Sequence, residues 1–337
     1  MNKKTLSVTL LALLVVAFMA GCGGDDSSDS GSGSGDSGDF KVAMLTPGPT
    51  SDQGYNADAQ RSADEIEKQT GAQVELTESV PVANQTDIYR QFASQGYNLV
   101  IGWGGQFTDG AVAAADEFPD TQFLVANSNV GNDKNLSSMD TAIEQWQFFA
   151  GYVAAKLSKT GTVGWIGGQC FPATAANLHG TEEGAKYADP QVKFLSKFTN
   201  DFEDPTKAES AATAMIDQGA GAITGNLNSG WPGVYAAAKT NDVPLVTEWI
   251  DNSDQAPEVI ASSLLKSQAK FVAQLAKEAQ DGKLKGEFHK FKLPEDWGPI
   301  VTETDLMPKG LYDEVLKLQD KVASGEIKVK HDETCPQ

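Results

Sequence analysis

From Phe40 onward, the spacing of apolar residues along the chain changes repeatedly. Short runs rich in β-branched and aromatic residues alternate with longer segments in which apolar residues recur every three or four positions. These are the patterns of strands and of amphipathic helices. Runs such as Leu99-Val100-Ile101 are apolar throughout, which is typical of parallel strands covered on both faces. The predicted strands are 41–46, 73–78, 99–103, 122–127, 163–167, 193–198, 222–226 and 244–250, and the predicted helices are 56–70, 86–95, 107–118, 144–158, 173–187, 205–218, 231–241 and 267–281.

The repeated order of strand and helix predicts an α/β fold with doubly wound parallel sheets. Four β-α units come first, the pattern pauses around 137–144, and it begins again at Thr162. Two lobes of similar size would produce this rhythm. The length of 337 residues also exceeds what one hydrophobic core usually supports.

The beginning of the chain has a different composition. Two lysines precede an apolar run over 10–20, and Gly21-Cys22 follows it. A basic start, a short apolar run and small residues are features of a secretory signal peptide. The run is shorter than the about 20 apolar residues that a membrane-spanning helix needs. Because Cys22 follows Ala-Gly, the segment resembles a bacterial lipobox, so we predict that 1–21 is removed and Cys22 is lipidated. An ordinary signal peptide with an incidental cysteine is the alternative.

Residues 23–39 are Gly, Ser and Asp only. They offer no apolar side chain to bury, so we predict that 22–39 forms a flexible tether between the lipid and the folded body. This places the protein at the extracytoplasmic face of the cell membrane. In an exported protein the remaining cysteines, Cys170 and Cys335, are expected to form a disulfide. Two free thiols are the alternative.

Composition excludes several function classes. The formal charge of −20 and the pI near 4.5 argue against a nucleic-acid partner, because binding to phosphates depends on Lys and Arg. Three histidines and three cysteines, none clustered, offer little for a metal site, so no metal and no cofactor are expected. The sequence contains no Gly-x-Ser-x-Gly motif and no phosphate-binding loop, which argues against an enzyme.

The loops after the predicted strands are rich in aromatic and amide residues. In parallel sheets, ligands bind outside the C-terminal ends of the strands. Aromatic faces with amides and carboxylates at their edges suit a flat heterocycle with a polar rim. For any one loop, a turn, a helix cap or an aromatic residue packed under the loop is the favoured interpretation, but six loops of the same character at the same topological position favour a binding site. The candidate ligand-binding residues are Ser51, Asp52, Tyr55, Asn56, Trp103, Gln106, Phe107, Asn127, Phe171, Asn226, Trp231, Glu248, Trp249 and Asp251.

Three segments carry a family resemblance. The loop Asp52-Gln53-Gly54-Tyr55-Asn56 is similar to an Asp-x-Gly/Ser-aromatic-Asn motif, and 149–155 and 159–168 are similar to a Phe-Leu-Ala-Gly-x-x-Ala helix and a Thr-Gly-x-Val-Gly-x-x-Gly-Gly strand. In this order, the segments resemble the basic membrane protein (BMP) family of lipoproteins. This family comprises substrate-binding components of ABC importers and includes the bacterial purine nucleoside receptors. The resemblance covers about 40–330.

The resemblance implies a type I periplasmic-binding fold, with two Rossmann-like lobes, parallel sheets and a ligand cleft between them. The function it implies is capture of a purine-type ligand, nucleoside or nucleobase, by lobe closure and delivery to an ABC permease. We expect a monomer that catalyses no reaction. The expected lobes are 40–143 with about 266–290, and 144–265 with about 291–337, with hinges near 140–145, 251–262 and after Gly282.

The resemblance also suggests roles for individual residues. Tyr55 corresponds to the aromatic residue that stacks on the base, with Asp52 and Asn56 as polar contacts from the same loop. Phe171 is expected to face the cleft from the second lobe. Either Trp231 or Trp249 is expected to close the opposite side of the base.

The sequence departs from the family at the sugar contact. Nucleoside-binding members usually carry an aspartate for the ribose hydroxyls where this chain has Glu248-Trp249, and an indole has no acceptor. Either Glu248 or Asp251 makes this contact, or the ligand lacks a ribose. Lys266, near a family Ser-x-x-Lys position, could reach a ligand, but a solvated lysine at a helix start is the favoured interpretation.

Two alternative functions remain open at this point. A surface lipoprotein that senses a ligand and passes its state to a membrane signalling partner would use the same fold and cleft. A nucleoside-processing enzyme would need a pair of tuned carboxylates. Its candidates are Asp52, Glu248 and Asp251, each of which is as readily a hydrogen-bond acceptor.

Overall fold

The computed structural model describes residues 40–52 and 54–336. The predicted signal peptide, the lipidated Cys22 and the tether lie outside the described residues. The strands are β1 (Lys41–Leu45), β2 (Gln73–Thr77), β3 (Leu99–Trp103), β4 (Gln122–Ala126), β5 (Leu136–Thr141), β6 (Thr162–Gly167), β7 (Lys193–Phe198), β8 (Ala222–Asn226), β9 (Leu245–Trp249), β10 (Ile260–Leu265) and β11 (Phe288–Phe291). The α-helices are α1 (Tyr55–Thr70), α2 (Gln85–Ser94), α3 (Thr108–Glu117), α4 (Ile143–Leu157), α5 (Pro172–Ala188), α6 (Pro205–Asp217), α7 (Trp231–Asn241), α8 (Ala269–Gln280) and α9 (Leu311–Ala323).

The strands form two parallel sheets, so the α/β prediction is confirmed. The first sheet has the order β11-β5-β4-β3-β1-β2 and the second has the order β10-β9-β8-β6-β7. Neighbouring strands are parallel in both sheets. We call each sheet with its helices a lobe. Among the described residues, no helix combines the length and the apolar composition needed to cross a membrane.

Alternate residues of β1 pack into two different hydrophobic cores, one on each face of the sheet. Val42 and Met44 of β1 belong to a cluster with α1, α4 and α8, whereas Ala43 and Leu45 pack with α2 and α3. This is the two-residue period of a strand covered on both faces. The first cluster also includes Val246 of the second sheet, so this core is continuous between the lobes.

Two segments of the predicted organisation contain strands that the apolar pattern did not predict. The pause at 137–144 contains β5, and the hinge predicted at 251–262 overlaps β10, which belongs to the second sheet. The chain therefore returns to the first lobe only after Leu265. It stays with the first sheet through β11, which pairs with β5. The exact lobe boundaries stay a prediction.

Helices α4 and α5 pack with their backbones in direct contact. A Cβ atom on Gly184 would lie 1.8 Å from the carbonyl oxygen of Phe148, and one on Gly151 would lie 1.8 Å from that of Thr181. Both obstacles are backbone atoms, so a larger side chain would force the helices apart. Glycine at these two positions therefore permits the close crossing that forms the start of the second lobe.

Gly184→Ala is expected to lower the free energy of unfolding by about 1–3 kcal/mol, because overpacking shifts the backbone. Urea denaturation followed by circular dichroism would measure this as a lower midpoint. Ser210→Ala, on the exposed face of α6, is the control and should change the free energy by less than about 0.5 kcal/mol. Equal midpoints for the two variants would contradict the close crossing.

Candidate functional site

A cleft lies between the two sheets, at the C-terminal ends of their strands. Loops after β1, β3 and β4 contribute from the first lobe, and loops after β6, β7, β8 and β9 contribute from the second. Open α/β sheets bind ligands at this position. We call the deep part of this cleft the inner chamber; it is lined by Pro47, Tyr55, Gly104, Gly105, Gln106, Asn127, Ile143, Phe171, Ala173, Thr174, Phe202, Asn226, Asn228 and Trp249.

Aromatic rings from both lobes form the walls of the inner chamber. Tyr55, at the start of α1, faces Trp249 of β9, with ring centroids 5.1 Å apart and ring planes tilted by 60°. Trp103 supports Tyr55 from behind, with centroids 5.4 Å apart, and its indole Nε1 donates to the backbone oxygen of Tyr55 at 2.9 Å. Phe171 and Phe202 form a second pair at 5.9 Å. The chamber thus presents aromatic surface on two sides.

Amide side chains lie at the edges of these rings. The Tyr55 hydroxyl donates to Asn127 Oδ1 at 2.7 Å, and Gln268 Nε2 donates to the same oxygen at 3.0 Å. Burial raises the pKa of Tyr55 well above its usual value, so the hydroxyl stays protonated. Asn127 has a left-handed backbone, with φ of 57°, a conformation that asparagine tolerates better than most residues.

Trp249 is held in an unusual conformation. Its φ of 79° is in the left-handed region, which is rare for a bulky residue and costs about 1–3 kcal/mol. The Lys266 ammonium lies 4.0 Å from the centroid of the indole ring, close enough for a cation–π interaction. The Lys266 side chain is only 5% exposed. The prediction of a solvated lysine at a helix start is therefore wrong.

The buried carboxylate of Glu248 accepts three hydrogen bonds from protein side chains. Lys266 Nζ donates to it at 2.6 Å, Gln147 Nε2 at 2.6 Å and Asn226 Nδ2 at 2.5 Å. Burial lowers the pKa of Lys266, and the negative charge of Glu248 opposes this shift. Glu248 therefore anchors the second-lobe side of the chamber.

Comparison with known proteins agrees with this geometry. The profile of the Bmp family, described as "ABC transporter substrate-binding protein PnrA-like", matches residues 40–333. The chain belongs to the Bmp family. This confirms the resemblance inferred from the sequence, and it makes the chain a substrate-binding protein of an ABC transporter rather than an enzyme.

The similarity to individual Bmp-family and solute-binding proteins extends over most of the chain. The chain is 26% identical to the ABC transporter nucleoside-binding protein BmpA of Lactococcus lactis subsp. cremoris (strain MG1363), over 98% of this chain and 99% of that protein. It is also 26% identical to a purine-binding protein of Brucella abortus (strain 2308), over 86% of this chain and 82% of that protein. An ABC transporter solute-binding protein from Conexibacter woesei superposes with a TM-score of 0.68 at 25% identity, covering 87% of this chain and 99% of the other.

In this Bmp-family protein, six of the predicted residues line the inner chamber: Tyr55, Gln106, Asn127, Phe171, Asn226 and Trp249. Several lining residues were not predicted. Phe202 follows β7 just as the other aromatic residues follow their strands, so the same pattern would have found it. Ile143 lies where the strand–helix pattern pauses, and nothing in the sequence marks it.

Asp52 and Asn56 lie beneath the first loop rather than in the chamber lining. Asp52 accepts the backbone N–H groups of Gly54 at 2.9 Å and Ala57 at 2.8 Å through Oδ1, and that of Asn56 at 2.9 Å through Oδ2. The Asn56 amide also donates to Asp52 Oδ2 at 2.8 Å. Burial raises the pKa of Asp52, and these hydrogen bonds oppose that shift. The carboxylate thus caps α1 and fixes the loop that carries Tyr55.

The remaining predicted residues lie elsewhere. Trp231 stacks on Tyr235 with centroids 5.9 Å apart, and with Ser51 it borders a separate surface depression. Phe107 is fully buried in the core beside α2 and α3. Asp251 is exposed and accepts the backbone N–H of Ser253 at 3.0 Å. Of the two indoles considered for the second side of the base, only Trp249 faces the chamber.

A disulfide attaches the C-terminal tail beside the cleft. Cys170 and Cys335 are joined by a disulfide with 6.0 Å between their Cα atoms, so the structure contains the favoured of the two alternatives. The His179 Nε2 atom lies 2.8 Å from the backbone oxygen of Thr334 and adds a polar contact. Because Phe171 directly follows Cys170, the disulfide restrains a loop that lines the chamber.

Proposed function

We propose that this Bmp-family protein is an extracytoplasmic lipoprotein that captures a purine-type ligand, nucleoside or nucleobase, and delivers it to an ABC permease. One observation carries the proposal: the inner chamber has aromatic walls from both lobes and amide groups at their edges. A purine has two stackable faces and a rim of donors and acceptors. Amide side chains supply both kinds of partner for that rim.

The named relatives support the same ligand class. The Lactococcus lactis relative is called nucleoside-binding and the Brucella abortus relative is called purine-binding. Both align over more than four fifths of this chain. The chemistry of the chamber and the names of the relatives are independent lines of support.

Capture is proposed to proceed by lobe closure. Tyr55 and Trp249 belong to different lobes, so a ligand between them gains contacts from both only when the lobes are close. In this structure the two ring centroids are 5.1 Å apart. A flat ring between them needs about 7 Å, twice the carbon contact distance of about 3.5 Å. We therefore expect the lobes to separate before a base enters and to close upon it.

The remaining parts of the proposal concern location and partners. Lipidation of Cys22 would hold the folded body at the outer face of the membrane, where a permease is within reach of the tether. The protein would act as a monomer, and the permease would recognise the closed lobes. The small-molecule ligand needs no cofactor for this cycle.

The proposal is tested by identifying the ligand directly. Mass spectrometry of small molecules released from the denatured purified protein, followed by calorimetry with adenine, hypoxanthine, adenosine, guanosine and a panel of sugars, should detect a purine. Binding of a sugar with sub-micromolar affinity, without binding of any purine, would overturn the ligand class. Turnover of a nucleoside by the purified protein would overturn the transport function.

Tyr55→Ala is expected to weaken purine binding by about 10-fold to 100-fold, because stacking of a base on an aromatic ring contributes about 1–3 kcal/mol. Tyr55→Phe is the matched control. It keeps the ring and removes only the hydroxyl that donates to Asn127. Because the stacking face is retained, its affinity should stay within about threefold of the unmodified protein. Equal losses in both variants would show that the ring does not stack on the ligand.

A further inference from the structure

The C-terminal end of the chain lies across the second lobe without forming a helix or a strand. We call residues 330–335 of this end the strap. The backbone oxygen of Thr334 lies 2.8 Å from the ring of His179 in α5. One residue later, Cys335 is bonded to Cys170, directly before α5 begins. The strap is therefore attached to the same helix near its middle and at its start.

The strap has little packing of its own. Val329, just before it, is half-buried against the core, whereas most of the strap is exposed and consists of Lys, His, Asp, Glu, Thr and Cys. Exposed ion pairs each contribute only about 0–1 kcal/mol. Segments with few buried apolar contacts open locally at a low cost in free energy. The disulfide is therefore the contact that fixes the strap most firmly.

The strap also forms part of the cleft wall. Glu333 lines the outer part of the cleft together with Gln169 and Phe171. One ring nitrogen of His331 lies 3.0 Å from Glu333, and the other lies 3.1 Å from Glu144. Glu144 is buried in the first turn of α4, the helix that begins the second lobe. The strap thus connects the cleft wall to that helix.

The other end of the disulfide lies in the loop that carries one aromatic wall of the inner chamber. Phe171 directly follows Cys170, and its ring centroid lies 5.9 Å from that of Phe202. A Cβ atom on Gly168 would lie 2.2 Å from the Phe202 ring, so this ring packs on the backbone of the same loop. The backbone N–H of Phe171 donates to the Thr174 hydroxyl at 3.0 Å, which ties the loop to α5. The disulfide supplies the second attachment, to the strap.

We propose that the strap is a positioning element of the ligand site, and that its effect depends on the disulfide between Cys170 and Cys335. With the bond intact, the strap holds the loop that carries Phe171, and the rings of Phe171 and Phe202 keep their places in the chamber wall. With the bond broken, the strap is released and Phe171 loses its fixed position. This inference rests on the proposed function, because the effect is on ligand binding.

The bond opens by thiol–disulfide exchange with a dithiol. Cys335 is exposed and Cys170 is half-buried, so a thiolate of the dithiol attacks the Sγ atom of Cys335. A mixed disulfide forms, and Cys170 leaves as a thiolate that takes up a proton. The second thiol of the dithiol then attacks the dithiol sulfur of the mixed disulfide and releases Cys335, which is protonated in turn. The protein gains two electrons and two protons, and the dithiol is oxidised to a cyclic disulfide.

Calorimetry with adenine and adenosine, each without and with dithiothreitol, tests the proposal in the purified protein. For a purine that binds, reduction is expected to raise the dissociation constant about tenfold. Cys335→Ser should show the higher dissociation constant without any reductant, and dithiothreitol should not raise it further. Circular dichroism of each sample establishes that the protein is folded under the conditions of the titration. Equal affinities of the oxidised and reduced protein would overturn the proposal.

Two further variants separate positioning of Phe171 from a general loss of stability. In Phe171→Ala the ring that the strap positions is absent, so the oxidised and reduced forms should bind with the same affinity. Tyr55→Ala removes a ring of the first lobe instead. It should bind more weakly in both forms and keep the about tenfold difference between them. If reduction weakens binding equally in both variants, the disulfide does not act through Phe171.

Hydrogen exchange measured by mass spectrometry gives a readout that needs no ligand. Reduction should speed the exchange of backbone amides in 168–171 and in the strap, and it should leave exchange in the buried strand β1 unchanged. Unchanged exchange in 168–171 would overturn the role of the strap. If exchange changes as expected but neither purine binds the oxidised protein, the proposed function fails, whereas the attachment of this loop to the strap stands.

Discussion

Lys266→Met is expected to lower the free energy of unfolding by about 3–5 kcal/mol, because it leaves Glu248 as an unpaired charge in the protein interior. The two side chains are 5% and 1% exposed, so water cannot solvate the remaining carboxylate. The variant also removes the cation from the face of Trp249. Urea denaturation should show the loss as a lower midpoint, and it is a large part of the about 5–15 kcal/mol that stabilises a typical domain.

Two further variants separate the buried charge from a general effect of losing a lysine. Lys239→Met removes the lysine of an exposed pair, in which Lys239 lies 2.8 Å from Glu258, and it should cost about 0–1 kcal/mol. Combining Lys266→Met with Glu248→Gln should recover part of the lost free energy of unfolding, because the interior then contains no unpaired carboxylate at position 248. If Lys266→Met and Lys239→Met have the same midpoint, the buried pair does not stabilise the second lobe.

The buried pair also shows how far residue roles follow from sequence. Glu248 and Lys266 are 18 positions apart, and nothing in their spacing marks them as partners. They meet because β9 and β10 are parallel neighbours, which places the end of one strand beside the chain that leaves the other. A lysine that follows a strand is ordinarily solvated, and only the fold shows that this one is buried.

The predicted elements succeed where the apolar pattern is continuous. Residues 99–103 are buried throughout and form β3 as predicted. The unpredicted strand β10 contains serines whose hydroxyl groups find partners inside the fold. Ser262 donates to the backbone oxygen of Thr302 at 2.8 Å, and Ser263 lies 2.8 Å from the hydroxyl of Thr247. Such partners are distant in sequence, so periodicity alone cannot reveal that these serines are buried.

Of the two tryptophan candidates for the second side of the base, only Trp249 lines the chamber, and the reason lies in local structure. Trp231 begins α7, where its ring packs on Tyr235 one turn later, a contact that neighbouring turns of any helix allow. Trp249 ends β9, and its left-handed backbone is accompanied by a ring that faces the chamber and Tyr55. Trp231 follows a strand and Trp249 ends one, so the sequence pattern places both at the same edge of the sheet and favours them equally. The backbone conformation that separates them is set by tertiary contacts.

Cys335→Ser is expected to lower the free energy of unfolding by about 2–4 kcal/mol. The disulfide joins residues 165 positions apart and therefore closes a long loop in the unfolded chain. Closing a long loop removes conformational freedom from the unfolded state, which stabilises the folded state by comparison. Urea denaturation under non-reducing conditions would measure the shift in midpoint.

A reducing agent supplies the control for this prediction without any substitution. The unmodified protein with its disulfide reduced should unfold at the midpoint of Cys335→Ser, whereas reduction should leave Cys335→Ser unchanged. Cys170→Ser and the double variant Cys170→Ser/Cys335→Ser should unfold at the same midpoint as Cys335→Ser, because each variant lacks the same disulfide. If the two single variants differ or their effects add, the cysteines contribute through separate packing rather than through the disulfide. An unchanged midpoint in all of them would mean that the tail contacts, such as His179 with Thr334, hold the C-terminus without the disulfide.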